Sequence, residues 1–122
     1  MPSRTVLVID DDPCLRELYT TVLSASDPSA TIISAGSAEE GLAAAGTAQP
    51  DLIYLDHRLP GQLGVDAVPA FRAACPAAVI IVVSGWADAG LPERARNAGA
   101  DSFLDKGELL GSLAAAIRPP TP

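Results

Sequence analysis

Cysteines are scarce in this chain, and long apolar segments are missing. The 122 residues include only two cysteines, Cys14 and Cys75, and these fit no CxxC or Cys/His zinc-binding spacing. Two cysteines are also too few for a disulfide scaffold, so we expect free thiols in a reducing compartment. The longest apolar run covers residues 77–83, far short of the roughly 20 residues of a membrane span. Together with an N-terminus that lacks a secretory layout, these absences predict a soluble, cytoplasmic protein. The length of 122 residues fits one compact domain.

Basic residues are few, and lysine is almost missing. The chain has 8 Lys and Arg residues against 15 Asp and Glu residues, which gives a formal net charge of -7. Proteins that bind nucleic acid contact phosphates with clustered Lys and Arg, so this balance argues against direct nucleic-acid binding. Lys106 is the single lysine. Because arginine does not everywhere replace the compact ammonium of lysine, Lys106 is a candidate functional residue.

Apolar runs recur along the chain, and they are continuous rather than alternating. They cover residues 5–9, 31–33, 52–55, 79–83 and 102–104. Continuous runs are typical of strands that are covered on both faces, which is the condition of a parallel sheet. Segments with helix signals separate the runs, so strands and helices alternate strictly. The pattern predicts an α/β fold with a doubly wound, five-stranded parallel sheet and five helices, (βα)5.

Helix signals are clearest before the first two helices. Asp12 followed by Pro13 is typical of an N-cap with a first-turn proline and predicts a helix to about Leu23. The sequence Ser-Ala-Glu-Glu at residues 37–40 is a capping box and predicts a second helix to about Gly46. Both helices then begin directly after a strand, as a parallel sheet requires.

The later helices carry weaker signals. We expect Asp66 to cap a third helix with Pro69 at its third position, and Pro92 to lie in the first turn of a short fourth helix. Residues 108–118 place leucines and an isoleucine on one stripe and predict an amphipathic last helix. The Pro-rich residues 119–122 cannot continue it. We therefore expect one domain over residues 1–118, followed by a tail or the start of a linker at 119–122.

Polar residues collect where the predicted strands end. The first strand is followed by the acidic run 10–12, the third by Asp56, the fourth by Ser84 and the fifth by Lys106. Ligands of doubly wound sheets bind at the carboxyl ends of the strands. Carboxylates without His or Cys partners suit Mg²⁺ or Mn²⁺. With a hydroxyl and an ammonium beside them, they form an edge that can hold a phosphoryl group next to a carboxylate nucleophile.

Several motifs, in order, resemble the receiver domain of two-component response regulators over nearly the whole chain. They are VLVIDDDP at residues 6–13, PDLIYLD at 50–56, LPG at 59–61, VVSG at 82–85 and AGADSFLDK at 98–106. The resemblance implies a flavodoxin-like fold with strand order 2-1-3-4-5, an order for which a member of this family is a standard example. It also implies a protein that is not an enzyme in the usual sense, because a receiver domain catalyses only its own phosphorylation and dephosphorylation.

The resemblance implies an acceptor and a metal site at the sheet edge. Asp56 resembles the aspartate that accepts the phosphoryl group. Asp10 and Asp11 resemble the acidic pair that organises Mg²⁺, with Asp11 as the direct ligand. Asp56 would also bind the ion, and the backbone carbonyl of Arg58 would be the remaining protein ligand.

The resemblance also implies a switch. Ser84 matches the Ser or Thr that bonds a phosphoryl oxygen on activation, and Lys106 matches the lysine that pairs with the phosphoryl group. Phe103 matches an aromatic whose rotamer follows activation, although an ordinary core position on a strand explains it equally well. Gly107 departs from the family pattern, which has a proline after the lysine. His57, the only histidine, follows Asp56 and should point to the opposite face of the strand.

The expected function is that of a phospho-accepting receiver domain. No GxxxxGK[ST] loop or GxGxxG turn is present, so ATP or a dinucleotide is not the expected donor. By resemblance, the donor is a phosphohistidine on a histidine kinase or a histidine phosphotransfer protein. The responding surface would comprise helix four, strand five and helix five, roughly residues 91–118, and would serve a homodimer or an effector.

Two alternatives stay open at this point. A phosphatase of the haloacid-dehalogenase type would use Asp10 as nucleophile and Asp12 as general acid, with Ser84 and a lysine in support. That interpretation leaves the segment 56–61 unexplained. The second alternative is a receiver-like interaction module that is never phosphorylated.

Overall fold

The apolar runs form strands in the computed structural model, which describes residues 4–85, 90–109 and 111. The strands are β1 (Thr5–Ile9), β2 (Thr31–Ala35), β3 (Leu52–Asp56), β4 (Arg58–Leu59), β5 (Gln62–Leu63), β6 (Val79–Ser84) and β7 (Ser102–Asp105). The helices are α1 (Pro13–Ser26), α2 (Ala38–Ala48), α3 (Gly64–Ala74) and α4 (Leu91–Ala98). Residues 106–109 and 111 are also helical.

The main sheet is parallel and has the order β2-β1-β3-β6-β7. The predicted order 2-1-3-4-5 is confirmed, because β6 and β7 are the fourth and fifth strands of this sheet. The short antiparallel hairpin β4–β5 was not predicted. In the register of the sheet, Ile9 pairs with Leu55 and Asp56 with Val83. The residues that follow β1 and end β3 are therefore neighbours at one edge.

Each face of the sheet carries its own core. On one face, residues of α2, α3 and α4 pack against β1, β3 and β6 around Phe71, Ile53 and Ile80, all fully buried. On the other face, α1 packs through Tyr19 and Val22. Leu109 of the helical residues 106–109 lies in that second cluster. Burial on both faces explains why the strand sequences are continuously apolar.

The first two helices start at the predicted residues. The Asp12 carboxylate accepts the N–H of Cys14 at 2.9 Å, and the Ser37 hydroxyl accepts the N–H of Glu40 at 3.1 Å. Both helices run further than predicted, to Ser26 and Ala48. None of the helices in the described residues combines the length and apolar character needed to cross a bilayer.

The predicted start of the third helix is wrong. Helix α3 begins at Gly64, before Asp66, and Leu63 at its N-cap makes no side-chain capping bond. Pro69 therefore lies inside the helix rather than in its first turn. The helix can begin early because His57 accepts two of its first N–H groups, those of Gly64 at 2.7 Å and Val65 at 3.3 Å.

The last helix begins before the predicted residue 108. Residue 106 is already helical, and the Asp105 carboxylate accepts the N–H of Glu108 at 2.7 Å, as an N-cap does. Gly107 accordingly lies within the first turn. Residues 112–118 of the predicted helix, and the predicted tail 119–122, lie outside the described residues.

Arg72 ties α3 to two distant segments. Its guanidinium donates to the carbonyl of Gly99 at 2.8 Å, to the carbonyl of Ala78 at 2.6 Å and to the carboxylate of Asp101 at 2.6 Å. Asp101 in turn accepts the N–H of Ile80 at the start of β6. One side chain therefore connects α3 with the C-terminal end of α4 and with the start of β6.

Replacing Arg72 by methionine should destabilise the protein more than most substitutions at the surface do. Arg72→Met keeps the aliphatic stem but leaves two part-buried carbonyls, those of Gly99 and Ala78, without this donor. We therefore expect the free energy of unfolding to fall by about 2 to 3 kcal/mol. Urea unfolding measures the change. Arg96→Met on the exposed face of α4 is the matched control and should change stability by less than about 0.5 kcal/mol. Equal effects of the two substitutions would contradict the anchoring role of Arg72.

Candidate functional site

Three carboxylates meet at the edge where the strands end. One oxygen from each of Asp10, Asp11 and Asp56 lies within 4.8 Å of the other two. Asp10 and Asp56 are 1% and 3% exposed, whereas Asp11 is exposed to solvent. The structure thus brings together the predicted acidic residues, with two of them buried and the third at the opening.

Local bonds hold Asp10 in place. One of its carboxylate oxygens, Oδ1, accepts the N–H of Asp12 at 2.9 Å, and its own N–H bonds to the carbonyl of Ala35 at 3.1 Å. Arg16, on the first turn of α1, donates to the Asp10 carbonyl at 2.7 Å. The backbone around the acidic pair is therefore fixed from both β2 and α1.

Lys106, the residue after β7, completes the cluster. Its ammonium lies 3.5 Å from Oδ2 of Asp10 and 3.5 Å from Oδ1 of Asp56. The lysine stem passes over Gly85, where an added Cβ would lie 3.5 Å from the lysine Cδ. The single lysine of the chain is therefore shared between the two buried carboxylates.

Burial controls the ionisation of this cluster. Burial raises the pKa of Asp56 to about 6, with the Asp10 charge adding and the Lys106 charge opposing. Burial likewise raises the pKa of Asp10. Burial lowers the pKa of Lys106, but the charges of Asp56 and Asp10 outweigh it and the net shift is upward. The lysine thus compensates only part of the repulsion between the carboxylates.

The donor set fits a hard divalent cation. Within the described part of the chain, Oδ2 of Asp10 and Oδ2 of Asp56 are buried and accept no hydrogen bond. The Lys106 ammonium stands too far from Asp10 for a short charge-assisted bond, which is about 2.7 to 2.9 Å. Unsatisfied carboxylate oxygens cost free energy when buried, and a cation removes that cost. Oxygen donors alone suit Mg²⁺, Mn²⁺ or Ca²⁺.

The other predicted site residues lie around the cluster. Ser84 is 1% exposed and ends β6, opposite Asp105 of β7. Arg58 begins β4, with its side chain exposed on the wall of a cavity of about 690 Å³ that Asp11 also lines. Phe103 is half-buried and packs against the larger core cluster.

Gly64 is a site residue that the sequence did not reveal. A Cβ at this position would overlap the carbonyl oxygen of Asp56 and lie 2.8 Å from the Cα of His57. Only glycine lets the start of α3 approach the acceptor strand this closely. A glycine just before a helical segment was the available signal, but such a glycine has many ordinary explanations.

The metal-free protein should lose stability as pH rises. The folded-state pKa of Asp56, about 6, lies above its ordinary value of 3.8, so the folded state binds this proton more tightly than the unfolded chain. Protonation of Asp56 therefore stabilises the folded state. This contribution is complete below the ordinary pKa and is lost as pH rises through about 6. In EDTA at pH 7.5, Asp56→Asn should therefore be more stable than wild type by on the order of 2 to 3 kcal/mol.

Urea unfolding at two pH values checks this prediction. The advantage of Asp56→Asn over wild type should shrink when the pH is lowered to 4, where Asp56 is protonated. It should also shrink in excess Mg²⁺ at pH 7.5, since the cation stabilises wild type, which has the complete donor set, more than the variant. If Asp56→Asn exceeds wild type in free energy of unfolding by the same amount at both pH values and in Mg²⁺, the charge of Asp56 does not destabilise the fold.

Comparison with known sequences identifies a family. The model of the response regulator receiver domain matches residues 6–118. The response regulator GacA of Pseudomonas viridiflava is 31% identical over 113 residues, which are 93% of this chain and 53% of GacA. A protein-glutamate methylesterase/protein-glutamine glutaminase of Rhizobium etli is 42% identical over 82 residues, which are 66% of this chain and 23% of that protein. The chain thus spans about half the length of GacA.

Solved structures show the same fold. A response regulator receiver domain protein (CheY-like) from Methanospirillum hungatei JF-1 has a TM-score of 0.80 at 23% identity, covering 94% of this chain and 97% of its own. A response regulator from Burkholderia pseudomallei, crystallised with a phosphorylated aspartic acid, calcium ion and citrate, has a TM-score of 0.80 at 26% identity. That match covers 95% of this chain and 67% of the other.

These matches do not support the phosphatase alternative. That alternative needs Asp12 as general acid. In the structure the Asp12 carboxylate instead caps α1, accepting the N–H groups of Cys14 and Leu15. The predicted fold, the acidic cluster and the match over residues 6–118 agree with one another. This chain belongs to the response regulator receiver domain family.

Proposed function

We propose that Asp56 accepts a phosphoryl group from a phosphohistidine on a histidine kinase or a histidine phosphotransfer protein. The supporting observation is that Oδ2 of Asp56 is buried and accepts no hydrogen bond within the described residues. The carboxylate of Asp56 lies beside those of Asp10 and Asp11, and its Oδ1 is 3.5 Å from the Lys106 ammonium. An oxygen that accepts no structural hydrogen bond is available as a nucleophile. Asp10, by contrast, uses Oδ1 to hold the N–H of Asp12.

The transfer is a single displacement at phosphorus. A carboxylate oxygen of Asp56 attacks, an O–P bond forms, and the P–N bond to the donor imidazole breaks with its electron pair left on the imidazole nitrogen. The product is an acyl phosphate on Asp56 and a neutral histidine on the donor. Lys106, held between Asp10 and Asp56, supplies a positive charge for the phosphoryl oxygens.

A divalent cation belongs to the same site. Asp10, Asp11, Asp56 and the backbone carbonyl of Arg58 would hold Mg²⁺ or Mn²⁺. The bound ion supplies charge neutralisation for the phosphoryl oxygens in the transition state. The support from this chain is the donor set, because the carboxylate oxygens converge and two of them are unsatisfied.

The negative charge of the phosphoryl group on Asp56 would then shift a nearby surface toward a second conformation. Ser84 would bond a phosphoryl oxygen, and the half-buried Phe103 would follow by repacking between β7 and the core. The surface affected comprises α4, β7 and the last helix, where homodimerisation or binding of an effector would take place. Phe103 lines a groove of about 250 Å³ on this surface together with Pro92 and Arg96.

We infer a receiver unit over residues 1–118 that acts in the cytoplasm, without direct contact to nucleic acid. It would catalyse only its own phosphorylation and dephosphorylation. Other activities, such as that named for the Rhizobium etli relative, would belong to other parts of a longer protein.

Labelling with acetyl phosphate tests the proposed function. The protein should gain one phosphoryl group in intact-mass spectra when Mg²⁺ is present, and EDTA should lower the rate at least about 100-fold because charge neutralisation is lost. Mn²⁺ should restore the rate. A chain that stays unlabelled in Mg²⁺, with both acetyl phosphate and a phosphorylated histidine phosphotransfer protein, would be an interaction module instead.

A further inference from the structure

His57 lies at the junction of three elements. It follows Asp56 directly, is 8% exposed, and donates its N–H to the carbonyl of Val83 on β6 at 2.8 Å. Its carbonyl accepts the N–H of Gly64 at 2.7 Å, and its imidazole Nδ1 accepts the N–H of Val65 at 3.3 Å. Backbone and side chain together connect the acceptor strand with the first turn of α3.

Helix α3 depends on this residue for its start. The first N–H groups of any helix lack partners inside the helix. Leu63, at the N-cap of α3, provides no side-chain acceptor. His57 takes the place of a cap from a position eight residues earlier than Val65. The bond to Val65 is buried, so water does not readily replace the imidazole if it is lost.

The same bonds close the loop that forms the mouth of the site. Residues 57–64 contain the hairpin β4–β5 and turn at Gly61, which has a φ of 78°. Arg58, whose carbonyl is the proposed fourth ligand, is the next residue after His57. The loop lines the cavity of about 690 Å³ that Asp11 also lines. Fixing both ends of the loop at His57 therefore fixes the Arg58 carbonyl relative to Asp56.

We propose that His57 is a positioning residue, whose unprotonated Nδ1 caps α3 and so holds the loop 57–64 in the geometry that binds the cation and accepts the phosphoryl group. Since Nδ1 accepts a bond, the proton of the neutral ring is on Nε2. The inference rests on the proposed function, because the reaction it supports is transfer to Asp56. His57 would support the reaction without contacting the reacting atoms.

Matched substitutions separate the capping atom from the bulk of the ring. Asparagine places Oδ1 where histidine has Nδ1, so His57→Asn should keep the labelling rate within about twofold of wild type. His57→Phe keeps the bulk but has no acceptor. It should need about five- to tenfold more Mg²⁺ for half-maximal labelling, because the loop is no longer held. His57→Gln places its acceptor near Nε2 and should behave like the Phe variant.

Two spectroscopic measurements decide the proposal without any labelling. Long-range ¹H–¹⁵N spectra of wild type should show the Nε2-protonated tautomer of His57. The Val65 amide should exchange slowly in wild type and His57→Asn, and at least about tenfold faster in His57→Phe. A ring protonated at Nδ1, or equal behaviour of the Asn and Phe variants, would overturn the role of His57. Failure of wild type to accept phosphate would instead overturn the proposed function and leave these measurements standing.

Discussion

Replacing Asp56 by asparagine is expected to abolish phosphoryl labelling. Asn has no carboxylate oxygen to attack phosphorus, and we assign the neighbouring carboxylates to the cation rather than to the acceptor role. Asp10 is bonded to the N–H of Asp12, and Asp11 lies exposed at the opening. The expected loss of rate is at least about 1,000-fold, since the nucleophile itself is removed. Acetyl phosphate labelling with Mg²⁺, followed by intact mass, measures it.

We expect this variant to lose labelling without unfolding. Asp56→Asn removes a buried charge whose pKa is raised to about 6, so the metal-free variant should be more stable than wild type at neutral pH. Asp12→Asn is the matched control, because asparagine caps a helix as well as aspartate does. It should keep at least about half of the wild-type rate, whereas a phosphatase that uses Asp12 as general acid would lose its activity. Undiminished labelling of Asp56→Asn would contradict the assignment of the acceptor.

Replacing Gly64 by alanine is the second change with a large expected effect. The new Cβ would overlap the Asp56 carbonyl oxygen and would lie 2.8 Å from the His57 Cα. Both contacts are with backbone, so β3 or the start of α3 has to move. We expect a loss of about 3 kcal/mol or more in the free energy of unfolding. Labelling of the folded fraction should slow by at least about tenfold, because small displacements of reacting groups are costly.

Gly46 provides the control for this substitution. It lies within α2, and a Cβ added there meets no atom within 4 Å. Gly46→Ala should therefore stabilise the protein by about 0.5 to 1 kcal/mol through helix propensity and leave labelling unchanged. Urea unfolding and acetyl phosphate labelling of both variants check the pair. If Gly64→Ala is as stable and as rapidly labelled as wild type, the close approach of α3 to Asp56 is not required.

Local signals accounted for the parts of the fold that sequence analysis predicted. Continuous apolar runs located the main strands, and Asp12 and Ser37 located two helix starts because each caps its own helix. The edge with Asp56 and Lys106 followed from the rule that parallel strands end on one side of a sheet. The sequence alone therefore predicts chemistry at that edge.

Contacts between distant residues explain what sequence analysis missed. Asp66 looked like the cap of α3, but His57 supplies the acceptors and the helix starts earlier. Arg72 bonds to Gly99 and Asp101, more than 25 positions away, and no local pattern marks such an arginine. The strands β4 and β5 are two residues each, too short to show a periodicity.

Chemical trapping of the acyl phosphate tests most directly whether it forms on Asp56. Borohydride reduces an acyl phosphate to an alcohol, so treatment of the labelled protein followed by peptide mass spectrometry identifies the modified aspartate. We expect the modification to map to Asp56 alone, in protein labelled by acetyl phosphate or by a phosphohistidine donor. Modification of Asp10 in its place would contradict the account and would restore the hydrolase-type interpretation.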